Sequence, residues 1–193
     1  MFEVIISNIK KKVAVNDEEA ELLKTFFTPK KLRKKQYLLQ EGDVSHYTAF
    51  VEKGVLRSFT IDEKGHEHIM QFATEDWWIS DLYSFLTEEP SDYSIEALEE
   101  TELLLINKAD YENMMLAVPK MERYFRILTQ NSLISMQRRI SGKMTLTAEQ
   151  NYKKLMEQRP ALFQRVPQHM IASFLGIAPE TLSRIRKQMA STK

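Results

Sequence analysis

Glu180, Ser183, Arg184 and Lys187 fall on one side of a helix at 100° per residue, within the stretch PQHMIASFLGIAPETLSRIRKQM that runs from Pro167 to Met189. Their chemistry suits base edges. An arginine can fork onto guanine O6 and N7, a glutamate can accept from cytosine N4, and serine or lysine can meet bases or phosphates. Arg186 and Lys187 add phosphate or flank contacts, and Gln168, at the start of the preceding helix, joins the candidate DNA-binding set. The opposite face is apolar, through Leu182, Ile185 and Met189. Ahead of it an apolar stripe of Ile171, Phe174 and Leu175 ends at Gly176, whose missing Cβ permits the positive φ of a tight inter-helix turn. Ala172 is small enough for two helices to cross closely, and Pro179 suits the first turn of the second helix. The spacing predicts a helix-turn-helix.

A rival chemistry lies at His66-Glu67-His68, where two imidazoles share one face of a strand and could ligate a metal, as in a cupin jelly roll. A cupin needs a carboxylate three or four residues after the second histidine. Here six residues separate His68 from Glu75, and Gly65 abuts His66 instead of standing well upstream. A solvated pair is the expected state, so no metal site and no cofactor is expected. His46 and His169 stand alone. No phosphate-loop, dinucleotide or nucleophile-elbow motif is present, and no enzyme is expected. The absence of cysteine excludes disulfides, thiol catalysis and cysteine-ligated clusters.

The charge is distributed unevenly. The chain of 193 residues carries 27 Lys+Arg against 27 Asp+Glu. From Arg138 to Lys193 there are 11 basic against 3 acidic residues, which leaves 16 against 24 for residues 1–137. The basic part is the part with the helix-turn-helix, as phosphate neutralisation requires. No run reaches the ~18 to 20 apolar residues of a membrane span, and in MFEVIISNIKKK the lysines follow the apolar stretch, the wrong order for a signal peptide. A cytoplasmic address is expected.

The elements that must position this chemistry are also legible. Gly42, Gly54 and Gly65 punctuate the β-type runs KKLRKKQYLLQ, YTAFVEKG, VLRSFTIDEKG and HEHIMQFA, and YSIEALEE and TELLLIN follow. Such spacing predicts a β-roll or jelly roll, with DEKG (62–65) as a hairpin loop. Asn16 or Asp17 should cap EEAELLKTFF, Asn107 should cap KADYENMMLAV, and Thr147 to Gln158 reads as a further helix. Residues 119–141 form a long helix too apolar for one stripe, with Met121, Tyr124, Phe125, Ile127, Leu128, Leu133, Ile134, Met136 and Ile140. It must bury two faces, one against its own domain and one against a two-fold partner. Gly142 ends it as a hinge. The expected class is α+β: an N-terminal β-roll/jelly-roll effector domain with flanking helices (1–118), a dimerisation helix and hinge (119–142), and a C-terminal winged helix-turn-helix (143–193).

In this order the parts resemble the Crp/Fnr superfamily of bacterial transcription regulators. LLQEGDVSHYTAFVEKGVLRSFTIDEKGHEHIMQFA is similar to its effector-binding roll, through EGD, the glycine after Val51-x-Lys53 and the D-E-x-G hairpin. ETLSR (180–184) is similar to the E-x-x-S-R recognition motif of the Fnr branch. The resemblance implies a homodimer on a palindromic operator, with a TTGA-like half-site read by Glu180, Ser183 and Arg184. It also implies contact with RNA polymerase. Pro179 replaces a variable reader of the family and leaves the outer bases open. It places an effector pocket at Trp78, Ser80, Asp81, Leu82, Tyr83, Ser91, Asp92 and Tyr93. Ser80 and Asp81 stand where the cyclic-AMP binders have Gly and Glu, and Ser91 and Asp92 where they have Arg and Ser or Ala. A phosphate needs N–H donors and a cation, so cyclic AMP is not expected to bind in the family's manner. The effector, if there is one, is unknown. Trp77, Trp78, Tyr83, Phe85 and Tyr93 either fill the roll or line a pocket for a small apolar or aromatic ligand.

Overall fold

The computed structural model describes residues 1–191. Two helices, α1 (Glu3–Lys10) and α2 (Asp17–Lys24), precede eight strands. β1 (Thr28–Leu32), β2 (Tyr37–Leu39), β3 (Tyr47–Lys53), β4 (Leu56–Ile61), β5 (Glu67–Ala73) and β6 (Trp78–Ile79) are followed by the short α3 (Leu82–Thr87), then β7 (Ser94–Ala97) and β8 (Thr101–Asn107). Helices α4 (Lys108–Ala117), α5 (Lys120–Thr145), α6 (Ala148–Gln158), α7 (Leu162–Arg165), α8 (Gln168–Leu175) and α9 (Pro179–Ser191) complete the described chain.

The strands form two antiparallel sheets, in the orders β1-β8-β3-β6 and β2-β7-β4-β5. Val51, Leu103 and Leu105 face Leu39, Leu56, Ile95 and Ala97 across the roll. The alternate residues Phe50, Leu104 and Ile106 turn outward under Ile5, Ile9, Leu23, Met114, Met121 and Tyr124 of the flanking helices. Burial on both faces explains why these strands read as continuous apolar runs. The second sheet is covered in turn: Val55, Phe59, Ile69 and Phe72 join Tyr152, Leu155, Leu162, Val166, Ile171, Leu182 and Ile185 in one apolar cluster. The C-terminal helices therefore dock on the roll.

Local signals account for most boundaries. Asn16 and Thr147 form capping boxes with Glu19 and Gln150, and Asn107 accepts from Asp110 N. In the DEKG hairpin the Asp62 carboxylate accepts from Lys64 N and His66 N, both at 2.9 Å, and Gly65 has φ 83°. Three expectations need correction. KKLRKKQYLLQ is not one strand, because the chain turns at Lys35 (φ 67°) between β1 and β2. Gly142 is not a hinge. Helix α5 continues through it to Thr145, and Asn151 Nδ2 donates to Gly142 O at 3.0 Å, so that a Cβ on Gly142 would lie 2.9 Å from Asn151 Oδ1. Close approach of α6, not flexibility, accounts for that glycine. The expected wing is not among the described residues, where no strand follows β8.

Candidate nucleic-acid interface

Helix α8 ends as its glycine demands. Gly176 sits in the left-handed region (φ 72°), its N–H donates to Ser173 O at 2.9 Å, and Ile177 N reaches back to Ala172 O at 3.0 Å. This two-bond cap satisfies the last carbonyls of α8 and turns the chain into α9, which begins at Pro179. Leu182 and Ile185 are buried against Ile171 and Ala172, with Met189 half-buried beside them. Glu180, Ser183, Arg184 and Lys187 are exposed on the other side of α9, Arg186 is exposed at the flank beside Leu182, and Gln168 is half-buried as the first residue of α8. Glu180, Ser183, Arg184 and Lys187 thus form one polar ridge along α9.

The roll holds this unit by a polar seam that sequence reading missed. Arg165 forks onto Glu75, with Nη1 2.7 Å from Oε2 and Nη2 2.8 Å from Oε1, and its Nη2 also meets Glu99. The hydrogen bonds from Arg165 hold the Glu75 carboxyl at about 2, far below its usual 4.5. Arg159 donates to Phe72 O at 3.0 Å, lies over the Trp77 ring at 4.4 Å, and is pushed down to about 10 by burial. Ser173 Oγ accepts from Ile69 N at 3.0 Å and donates to Glu67 O at 2.8 Å, so α8 occupies backbone groups at the open edge of β5. Glu75 and Arg165 are 90 residues apart, and no local pattern could have paired them.

On α5, Leu133, Met136, Ile140 and Met144 recur at three- and four-residue steps and are each about half or more exposed, at 56%, 49%, 53% and 81%. Ile134 flanks this stripe at 45% exposure. The N-terminal half of the same helix is buried through Met121 and Tyr124. The helix thus has a covered end and an uncovered apolar stripe.

The expected effector pocket divides into three groups. Asp81, Tyr83, Asp92 and Tyr93 line a cleft of about 320 Å³ together with Thr60 and Met70. Ser80 and Ser91 stand behind it: Tyr93 Oη donates to Ser80 O at 3.2 Å, and Ser91 Oγ donates to Asp81 Oδ2 at 2.7 Å. Asp81 is buried and also caps α3, accepting from Ser84 N at 3.1 Å. Burial, then the neighbouring Asp81 carboxylate, pushes the Tyr93 phenol up. Leu82 is exposed and does not join the lining. Trp78 does not join it either. Its ring packs against Phe27, Phe50 and Phe125, and its Nε1 donates to Tyr124 Oη at 2.9 Å, because the outward face of β6 lies under α5. Of the five rings read as roll filling or pocket lining, Trp78 packs outside the roll under α5, Phe85 is buried against Tyr111, Trp77 is exposed beneath Arg159, and Tyr83 and Tyr93 face the cleft.

The lining holds two carboxylates and no cation. The buried arginine of the second sheet, Arg57, is engaged elsewhere. Its Nε donates to Glu96 at 2.8 Å, its Nη2 to Glu67 at 2.9 Å, and those bonds outweigh burial and raise its pKa. His66 and His68 are exposed on the hairpin, with His68 Nε2 2.9 Å from the Asp62 carboxylate. Among the described residues no group of three or more His, Cys, Asp or Glu could hold a metal ion. No helix among them is long and apolar enough to cross a membrane.

Residues 29–117 match the cyclic nucleotide-binding domain. The chain is 22% identical over 165 residues to the transcriptional activator protein Anr of Pseudomonas protegens, covering 80% of this chain and 67% of Anr. Among solved structures it resembles FixK2 of Bradyrhizobium japonicum, with a TM-score of 0.73, 20% identity, and 86% and 85% of the two chains covered. It also resembles the catabolite activator protein of Thermus thermophilus, with a TM-score of 0.60, 20% identity, and 96% and 87% covered. At these identities the likeness to the solved structures is one of fold.

Proposed function

We propose that the chain is a homodimeric, sequence-specific DNA-binding transcription regulator of the Crp/Fnr superfamily, a reading supported by the cyclic nucleotide-binding match and the likeness to Anr and FixK2. Glu180, Ser183 and Arg184 read base edges in the major groove, while Arg186, Lys187 and Gln168 contact phosphates or flanking positions. The observation that carries this reading is the α9 ridge: Glu180, Ser183, Arg184 and Lys187 exposed on one face, with Leu182 and Ile185 buried on the other. The stripe of Leu133, Met136, Ile140 and Met144 supports two-fold pairing through α5, since apolar rows at this spacing bury against a like row. Paired protomers would read inverted half-sites one helical turn apart, ~34 Å centre to centre, with a TTGA-like half-site. Residues 1–118 serve as the effector roll, the long helix as the dimer element, and the helices beyond it as the DNA-binding domain. Contact with RNA polymerase and a cytoplasmic location complete the proposal, and no catalysis is assigned.

The input differs from cyclic AMP. A cyclic phosphate entering the cleft would meet Asp81 and Asp92 with no cation to balance it. An effector other than cyclic AMP is therefore proposed for the cleft between Tyr83 and Tyr93. A second reading, a regulator with no small-molecule effector, is supported by the mutual engagement of Asp81, Ser84 and Ser91, which leaves Asp81 committed to the fold. Selection of duplexes from a random pool by the full-length chain, followed by salt-titrated binding, tests the DNA proposal. Recovery of inverted repeats supports it, and recovery of unrelated sequences with equal affinity counts against it.

A further inference from the structure

The cleft lined by Asp81, Tyr83, Asp92 and Tyr93 holds a charge that no cation among the described residues balances. Asp81 is 4% exposed, and its carboxylate accepts from Ser84 N at 3.1 Å and from Ser91 Oγ at 2.7 Å. Both donors are neutral, and Asp81 makes no ion pair among the described residues. A buried carboxylate without a counter-charge is costly. Those two bonds use two of its roughly four acceptor sites, so the others remain for a ligand. Asp92 is exposed on the same lining and makes no hydrogen bond or ion pair among the described residues.

The other walls suit a positive ligand. Tyr83 Oη donates to Glu89 Oε2 at 2.5 Å and Tyr93 Oη donates to Ser80 O at 3.2 Å, so neither hydroxyl is left to donate to an anion. What the two tyrosines still offer is aromatic surface, whose π faces attract cations. Met70 is the extra residue of a bulge in β5, which sets its polarisable thioether on the lining. The neighbouring basic groups are engaged outside the lining. Lys108 donates to Glu88 at 2.8 Å and to Leu86 O at 2.9 Å, while Arg139 reaches Met70 O from α5 and lies over the Phe174 ring at 5.2 Å. The surrounding part of the chain, residues 1–137, carries 24 acidic against 16 basic residues, a field that draws cations in. At about 320 Å³ the cleft has room for a small ligand only.

Resting on the effector reading above, we propose that this cleft binds a small organic cation, an alkyl- or arylammonium whose nitrogen sits between Asp81 and Asp92 and whose apolar part lies along Tyr83, Tyr93 and Met70. The cation supplies the counter-charge that Asp81 lacks, and partial burial makes that pairing stronger than one on an open surface. An anion of the same size would meet two carboxylates instead. A neutral isostere would gain the ring contacts alone. Charge therefore decides among ligands of equal shape, with the tyrosine rings adding to the same preference.

The test titrates the full-length chain calorimetrically with four probes: phenethylammonium, its neutral counterpart phenethyl alcohol, the anion phenylacetate, and choline as a cation without a ring. Phenethylammonium should bind saturably and about ten-fold more tightly than phenethyl alcohol, as an ion pair beside an aromatic face supplies, and its affinity should fall with rising salt. Choline should bind more weakly and compete with it, and phenylacetate should not saturate. Asp81 is left intact because it caps α3. Asp92→Asn, at an exposed position, should remove most of the preference for the cation over the alcohol. Tyr83→Ala, also exposed, should weaken phenethylammonium about three-fold or more. Equal affinity for phenethylammonium and phenethyl alcohol would overturn the cation class while leaving an effector cleft. Tighter binding of phenylacetate would overturn it in favour of an anion. Cation binding unchanged in both variants would put the site elsewhere and overturn it as well. No saturable binding by any probe would overturn it too, and the effector reading falls with it only if a metabolite library also gives no thermal shift.

Discussion

Arg165 and Glu75 form a two-bond fork between the C-terminal helices and the roll, at 2.7 and 2.8 Å, and this seam ties the end of α7 to the segment after β5. Both side chains keep partial contact with solvent, at 26% and 37%, so the pair contributes about 1 kcal/mol. Arg165→Ala should leave the melting temperature of the roll nearly unchanged, and should raise amide exchange in α6 to α8 by several-fold. A charge reversal, Arg165→Glu with Glu75→Arg, should recover much of the protection, a rescue that a packing role alone would not give.

The same pair predicts an acid response. The Glu75 carboxyl lies near 2 when docked and near 4.5 when free, so its contribution is complete above 4.5 and is lost as the pH falls from 4.5 towards 2. Exchange in α8, followed from pH 6 to pH 3, should rise across that interval. Glu75→Gln should flatten the rise, and an unchanged profile in that variant would remove Glu75 from the account.

Gly54 makes the sharpest stability prediction. It has φ +107°, and a Cβ there would lie 2.4 Å from Thr101 Oγ1 and 2.8 Å from Thr101 Cα, across the turn into β8. Gly54→Ala should cost about 2–3 kcal/mol and lower the melting temperature on the order of 5–10 °C. Gly65, also at positive φ but with open space around it, should tolerate alanine better by thermal melting.

Not every part of this fold was equally legible in the sequence. Caps at Asn16, Asn107 and Thr147 and the glycine turn at Gly176 were readable because each is a bargain struck within a few residues. The α9 ridge was readable for the same reason, since helical periodicity alone separates Arg184 from Leu182. Trp78 was misplaced because its direction is set by Tyr124, 46 residues away, which in turn donates to Asn8 of α1 at 2.8 Å. Helix α1 itself went unread as a helix. Its start is held by the buried Glu52 carboxylate, which accepts from Ile5 N at 2.9 Å and Val4 N at 3.3 Å from across the roll. Gly142 carried a turn signal that the packing of Asn151 overrides.

Pairing through α5 is open to a direct check. Leu133→Glu with Ile140→Glu places carboxylates on the exposed stripe, where they meet only solvent in a single chain and each other across a two-fold. The fold should be retained by circular dichroism, while sedimentation equilibrium at micromolar concentration shifts from dimer to monomer. Persistence of the dimer would move the interface away from this stripe.

Ligand preference follows from the cleft. Cyclic AMP at millimolar concentration should give no saturable thermal shift, because the cleft is lined by Asp81 and Asp92 and by no cation. Saturable stabilisation by another compound, abolished by Tyr93→Ala, would place an effector there. No stabilisation across a metabolite library would favour the effector-free reading.

Arg184→Ala tests the central claim most directly, in a salt-titrated binding assay against the selected inverted repeat and against a random duplex of equal length. The account predicts a loss of ~1–3 kcal/mol on the selected duplex, relaxed preference at one base pair, and little change on random DNA. An equal loss on both duplexes would reduce Arg184 to a phosphate contact and contradict the assignment of α9 as the reading helix.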